Sequence, residues 1–111
     1  DLAEPAAEPA PVLAEAERQP EPPAATGCEA EPTPADRMIC ATPRLKRLQG
    51  ELRRAYAEAL AAHEDRALLR QRQLAWRDTR SDVSDPERLA RLYEQRIRKL
   101  NAATADALAS R

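Results

Sequence analysis

The feature that most constrains this chain is the placement of its prolines. Nine of the 10 prolines lie between Pro5 and Pro43, and only Pro86 follows them. Proline lacks a backbone N–H and disfavours helix at the residue before it. Residues 1–27 have repeated Glu-Pro and Ala-Pro steps and little apolar surface, so they are predicted to form a disordered, acidic, Pro/Ala/Glu-rich tether. Residues 28–111 can form long helices and suffice for one modest domain.

Charge divides the chain at the same place. Ahead of Cys28 there are six acidic residues and one basic residue, a net charge of −5, whereas from Cys28 onward 17 basic residues face 13 acidic ones, a net charge of +4. An acidic arm is therefore joined to a basic domain. A nucleic-acid-binding surface needs a stronger net charge and aromatic readers, so we do not expect nucleic acid as a partner. The apolar runs are too short for a transmembrane segment.

The spacing of apolar residues predicts an all-α fold with three main helices. With no Phe, one Trp and two Tyr, the apolar content is mostly Ala and Leu, which suits helices better than strands. The first helix is expected to begin at Thr42-Pro43, and Asp65 either caps a second helix or marks a kink. Ser84 or Asp85 caps the third, which is expected to fray beyond Leu100. The predicted stripes are Leu45, Leu48, Leu52, Tyr56, Ala59 and Leu60; Leu68, Leu69, Gln73, Trp76 and Arg80; and Leu89, Leu92, Tyr93, Ile97 and Leu100.

A short helical element is predicted ahead of these three helices, with Thr33 as its N-cap and Pro34 as its first residue. Cys28 and Cys40 flank that element. A disulfide between them is the favoured interpretation, free thiols are a second, and metal binding is a third that would need two more ligands where only His63 is available. In the loop-entropy account, a bridge closing a loop of this size contributes about 3 kcal/mol.

No catalytic site, metal or cofactor is expected. The single histidine is predicted to be solvated or to cap a helix, and bridged cysteines leave no thiol nucleophile. The aromatic side chains Tyr56 and Trp76 are expected in the core. Gln73 and Arg77 either hydrogen-bond between helices or reach a partner, and Arg96 either pairs with a buried acid or lies exposed. The spacing of three aspartates does not match an EF-hand loop; they are Asp78, Asp82 and Asp85.

Four short groups of residues follow one another between Cys28 and Leu100 and together form a pattern. They are Cys28, Ala30, Thr33-Pro34, Asp36 and Ile39-Cys40; Leu45, Leu48, Leu52 and Ala55-Tyr56; Gln73, Trp76, Arg77 and Asp78, close to a Gln-x-x-Trp-x-x-Arg-Asp pattern with Arg77 two places early; and Leu89, Tyr93, Arg96, Ile97 and Leu100. Taken together, they resemble the LprI-like family of lysozyme inhibitors over about 73 residues.

The chain departs from that family at one point. Members often carry a second cysteine pair, and the corresponding places here hold Arg80 and Arg88. The loop between the second and third main helices therefore lacks a covalent tie. Either Asp78, Asp82 or Asp85 pairs with these arginines, or the loop is freer than in relatives.

The resemblance implies a periplasmic or extracellular protein of the cell envelope, with a possible lipid anchor upstream. It implies inhibition of a lysozyme-like cell-wall hydrolase, as an inhibitor or an immunity-type partner. Such glycosidases use two carboxylates in a cleft, which a cation-bearing loop can plug. The candidate partner-binding residues are Arg77, Arg80, Asp82 and Arg88, with the arginines expected to be solvated. The alternative is a structural or assembly module of the envelope, monomeric or homodimeric, with no inhibitory activity.

Overall fold

The computed structural model describes residues 27–111, and these residues form helices and no strand. A 3₁₀ turn at Cys28–Ala30 precedes four α-helices: α1 (Pro34–Ala41), α2 (Pro43–Ala62), α3 (Arg66–Arg80) and α4 (Pro86–Ala109). The all-α prediction is confirmed for this part of the chain. The helix count differs by one because the short element predicted ahead of the three main helices is itself an α-helix. The predicted disordered tether lies outside the described residues, apart from Gly27.

Side-chain caps set the start of three of the four helices. In each, an oxygen of the N-cap residue accepts a hydrogen bond from the backbone N–H three residues on, which satisfies a donor that the helix itself leaves free. The cap bonds are Asp36 N to Thr33 Oγ1 at 3.0 Å, Leu68 N to Asp65 Oδ1 at 3.0 Å and Arg88 N to Asp85 Oδ2 at 2.9 Å. Asp65 thus opens a separate helix, and Asp85 rather than Ser84 caps α4.

Helices α2 and α4 form a parallel pair that makes the most extensive helix–helix contact among the described residues. At their N-terminal ends, Arg44 Nη1 lies 3.3 Å from Glu87 Oε1, and Arg44 Nη2 lies 3.6 Å from Glu94 Oε2. At their C-terminal ends, Arg111 Nη2 donates to the carbonyl oxygen of Ala62 at 3.0 Å. Exposed ion pairs such as these contribute little stability. The contacts at the two ends show that α2 and α4 run in the same direction.

Small side chains let α2 and α4 approach closely. Ala55, Ala59 and Ala62 of α2 and Ala90 of α4 are all buried, and the distance between two packed helices depends on the size of the side chains at the contact. Larger residues fill the rest of this interface. The buried ones are Leu45, Leu48, Leu52, Leu89, Tyr93 and Leu100.

The prediction that the chain frays beyond Leu100 is wrong, since α4 continues to Ala109. Ala103, Thr104 and Ala107 are half-buried. Thr104 and the exposed Leu108 border a shallow surface groove together with Ala62, at the end of α2. Alanine has the highest helix propensity, so the weak apolar pattern did not prevent the helix from continuing.

Helix α3 is held differently from α2 and α4. Its inward face carries one buried leucine, Leu69, together with Gln73, the half-buried Trp76 and Arg80. The backbones of α3 and α2 approach each other at few points, whereas those of α2 and α4 do so along their length. Long side chains therefore bridge the space between α3 and its neighbours, and they do not fill that space completely.

The two cysteines form a disulfide, as predicted, with their Cα atoms 5.4 Å apart. The bond ties the 3₁₀ turn to the last full turn of α1, which in turn packs on α2 through Ala35 and Ile39. Because the sulfur atoms are bonded to each other, the free-thiol and metal interpretations of this pair do not apply. The disulfide is compatible with an oxidising, non-cytoplasmic compartment.

Loss of the disulfide is expected to lower the free energy of unfolding by about 3 kcal/mol, because the unfolded chain regains the loop entropy. The measurement is urea unfolding of the Cys28→Ser/Cys40→Ser variant beside the oxidised protein. A reductant should destabilise the parent protein and leave the variant unaffected. Intact-mass analysis should show two alkylated thiols only after reduction; alkylation without reduction would contradict the bridge.

Candidate functional site

The four candidate partner-binding residues do not share one surface. Asp82 is exposed in the loop after α3, and Arg77 is exposed on α3 itself. Arg88 is exposed near the start of α4, where it borders a shallow groove together with Arg91 and other residues of that helix. Arg80 is only 3% exposed, so the expectation that it is solvated is wrong.

Arg80 is the last residue of α3, and its side chain turns inward to an ion pair. Arg80 Nη1 lies 3.0 Å from Asp36 Oδ1, and the two side chains are 4% and 18% exposed. Asp36 is on α1, so the partner is none of the three nearby aspartates that the sequence suggested. Thr33 Oγ1 also donates to Asp36 Oδ2 at 2.8 Å, which holds the carboxylate in place.

A backbone hydrogen bond reinforces this connection between α1 and the end of α3. The Ala35 N–H donates to the carbonyl oxygen of Ser81 at 3.1 Å. The loop after α3 is therefore tied to α1 by one ion pair and one backbone hydrogen bond. The sequence alone could not identify Asp36 as the partner, because 44 residues separate it from Arg80.

A cavity of about 250 Å³ lies where α3 stands away from α2 and α4. Its apolar lining consists of Leu52 together with the rings of Tyr56, Trp76 and Tyr93. Trp76 and Tyr93 meet edge to face, with ring centroids 5.0 Å apart and an interplanar angle of 78°, which is a favourable aromatic geometry. Both Tyr56 and Trp76 pack against the core and remain half-buried, so each contributes to the core and to the cavity wall.

The polar lining of the cavity is cationic. Three guanidinium groups contribute to it, from Arg53, Arg77 and Arg80, and no carboxylate does. Arg53 and Arg77 are exposed at the rim, whereas Arg80 is buried. Two buried side-chain donors of the described residues have no hydrogen-bond partner, Arg80 Nε and Arg96 Nη2, and of these two residues only Arg80 lines the cavity. An unsatisfied buried donor is rare in folded proteins and costs about 1–3 kcal/mol, so Arg80 Nε calls for an explanation.

Two glutamine side chains complete the polar lining. Gln49 Oε1 accepts from Arg53 Nη2 at 3.4 Å, and Gln73 Oε1 accepts from Arg96 Nε at 2.9 Å. With both amide oxygens engaged, the NH₂ groups are the donors, and Gln49 also hydrogen-bonds to the Tyr93 hydroxyl. Gln73 therefore hydrogen-bonds between helices, which was one of the two interpretations left open. Arg96 is half-buried and hydrogen-bonds to Gln73, so it neither pairs with a buried acid nor lies exposed, the two alternatives proposed for it.

Burial shifts the pKa of two groups at or near the cavity. Burial raises the pKa of the Tyr93 hydroxyl above its ordinary value of 10.0, so Tyr93 stays neutral and keeps its proton at physiological pH. Arg96 does not line the cavity; burial and the nearby charge of Arg72 lower its pKa below the ordinary value of an arginine. The cavity therefore offers cationic and neutral hydrogen-bond donors, an arrangement that can bind an anion.

The sequence analysis missed two of the residues that build this cavity, Gln49 and Arg53. A signal for them was present, because Gln49, Arg53 and Tyr56 recur at helical spacing beside the leucine stripe of α2. His63, by contrast, is the C-cap residue of α2 and does not line the cavity. Its Nδ1 accepts a hydrogen bond from the Asp65 N–H at 3.1 Å.

No family model, no curated protein and no solved structure matches this chain. The likeness to LprI-like proteins thus rests on the order of the sequence motifs. Within residues 27–111, no helix combines the length and the apolar character needed to cross a bilayer.

Breaking the Arg80–Asp36 pair is expected to reduce stability strongly. Arg80→Met leaves the Asp36 carboxylate largely buried without its cation, and removing one partner of such a pair costs about 3 kcal/mol or more. Arg91→Met, at an exposed position of α4, is the matched control and should change stability by no more than about 0.5 kcal/mol. Urea unfolding of both variants is the measurement. If Arg80→Met is as stable as the parent protein, this ion pair does not stabilise the fold.

Proposed function

We propose that this protein is a periplasmic or extracellular binding protein that inhibits a lysozyme-like cell-wall hydrolase. The observation that carries the proposal is the cationic cavity between α2 and α3, with exposed arginines at its rim and aromatic rings in its wall. Arginine, tryptophan and tyrosine around a pocket are the residue types that dominate binding energy at protein interfaces. The order of LprI-like motifs along the chain supports a hydrolase as the partner.

This proposal assigns the binding face more narrowly than the sequence did. Of the four candidates, Arg77 belongs to the rim of the cavity and is joined there by Arg53. Arg80 acts from inside the cavity, through its buried guanidinium. Arg88 and Asp82 do not line the cavity, so their part in binding stays a prediction of the sequence.

The charges of the face fit an acidic partner. A domain with a net charge of +4 attracts a protein surface that carries carboxylates, and such steering raises the association rate. A domain of this size can supply only a standard interface, which buries roughly 1,200–2,000 Å² in total. A central anchor, such as a partner side chain entering the cavity, is therefore needed for tight binding.

Charge reversal at the rim should weaken inhibition. Arg53→Glu and Arg77→Glu place like charges opposite an acidic partner, and a loss of about 10-fold or more in inhibition is expected for each. Both residues are exposed, so thermal stability should change little. Arg91→Glu is the control. Tyr93 is the residue of α4 that lines the cavity, and at 100° per residue Arg91 lies about 160° around the helix from it, on the opposite face.

The assay is lysis of a cell-wall suspension by several lysozymes and lytic transglycosylases, with the protein titrated in and melting followed in parallel. Higher salt should reduce the association rate through screening. Arg88→Glu is measured as well. A loss of inhibition in Arg88→Glu and Arg91→Glu, with Arg53→Glu and Arg77→Glu unaffected, would move the interface to the outer face of α4, where Arg88 and Arg91 border one groove. Failure to inhibit any of these enzymes, together with a stable homodimer by light scattering, would favour the structural or assembly module instead.

A further inference from the structure

We propose that the cavity between α2, α3 and α4 is a carboxylate-binding site, and that Arg80 is its central ligand-binding residue. The identity of the partner rests on the proposed function, because there the carboxylate is an acidic side chain of the hydrolase. The chemistry of the site itself rests on the lining residues. A small free carboxylate would be recognised by the same groups.

The charge balance of the lining favours an anion. Arg53, Arg77 and Arg80 all border the cavity, and the only carboxylate in contact with any of them among residues 27–111 is Asp36, which lies behind Arg80. Cations that share a partly enclosed site repel one another, and an opposite charge within about 4–6 Å stabilises them. A bound anion supplies that charge, and the described part of the lining does not.

The Arg80 guanidinium has one edge free to bind a ligand. Nη1 is occupied by Asp36 at 3.0 Å, which holds the planar group in one orientation. The free edge is formed by Nε and Nη2, and Nε is the one of the two buried, unpartnered donors that belongs to a residue lining the cavity. Two adjacent N–H groups on one edge of a guanidinium match the two oxygens of a carboxylate in a bidentate pair. A carboxylate in the cavity would thus satisfy the orphaned donor.

The rest of the lining fits a carboxylate with a short stem. The NH₂ group of Gln73 adds a neutral donor, while Tyr56 and Trp76 offer apolar surface for a short aliphatic stem. An apolar cavity of about 150 Å³ already admits benzene, so about 250 Å³ accommodates an acidic side chain. This mixture of cations, amides and aromatic rings suits a carboxylate with a stem better than a bare inorganic anion.

The test uses the full-length, oxidised protein and two probes that differ in one charge. N-acetyl-glutamate amide has a side-chain carboxylate as its only charge, and N-acetyl-glutamine amide is its neutral counterpart. Trp76 is the only tryptophan of the chain, so its fluorescence reports on the cavity. We expect saturable binding of the glutamate probe at millimolar concentration or below, and at least 10-fold weaker binding of the glutamine probe.

Variants test whether the change in Trp76 fluorescence arises from binding in the cavity. Arg77→Gln, at the exposed rim, should weaken binding of the glutamate probe about 10-fold without affecting folding, and Arg91→Gln should leave it unchanged. Arg80→Met is expected to abolish binding, but it also destabilises the fold, so Arg77→Gln is the variant on which the inference depends. Equal binding of the two probes, or no fluorescence change with the glutamate probe up to tens of millimolar, would overturn the site.

Two further probes are used: N-acetyl-glycine distinguishes the possible sources of the carboxylate, and inorganic phosphate tests whether the site prefers a different anion. Tighter binding of N-acetyl-glycine than of the glutamate probe supports a small free carboxylate or a chain terminus, and the reverse order supports an acidic side chain. Saturable binding of inorganic phosphate with none of either carboxylate would overturn the inference. If the protein binds the carboxylate probe but inhibits no hydrolase, the proposed function is wrong and the site stands. If the protein inhibits a hydrolase, binds no probe, and Arg77→Gln does not change the inhibition, the site is wrong and the proposed function stands.

Discussion

The ion pair between Arg80 and Asp36 is the interaction on which one end of this structure depends. It fastens the last residue of α3 to α1, and the hydrogen bond from Ala35 to Ser81 reinforces the contact. Since the disulfide ties Cys28 to α1 as well, the residues at this end of the bundle are connected by one covalent, one ionic and one backbone link. The pair also orients the Arg80 guanidinium, so the same contact supports the fold and shapes the cavity.

The cavity follows from unequal packing of the three long helices. Alanines allow α2 and α4 to pack closely, whereas α3 presents Gln73, Trp76 and Arg80 to its neighbours. Side chains of this length keep a helix at a distance, and their polar atoms need partners that hydrocarbon cannot provide. A chain selected for stability alone would place leucines on this face. Local departures from good core packing tend to coincide with functional sites, and the unsatisfied Nε of Arg80 is such a departure.

The LprI-like pattern that the chain resembles often has cysteines where Arg80 and Arg88 stand. Here a noncovalent contact holds the loop after α3, and it has different physical properties from a disulfide. A disulfide stabilises mainly by restricting the unfolded chain, whereas an ion pair acts only in the folded state and must overcome the desolvation of its charges. The arginine also introduces a positive charge beside the cavity, which a disulfide would not do.

The sequence by itself determined the secondary structure closely, because the signals for it are local. Threonine or aspartate before the first turn, proline at its start and leucines at intervals of three and four gave the helix starts at Pro34, Pro43 and Pro86. Only the tertiary structure decided which charges meet, because the pairing of Arg80 with Asp36 spans 44 residues and depends on where α1 packs. The tertiary structure likewise decided that Arg80 is buried and that Gln49 and Arg53 line the same cavity as Trp76. Helical periodicity places a residue on a face of its own helix, and it carries no information on which other face lies opposite.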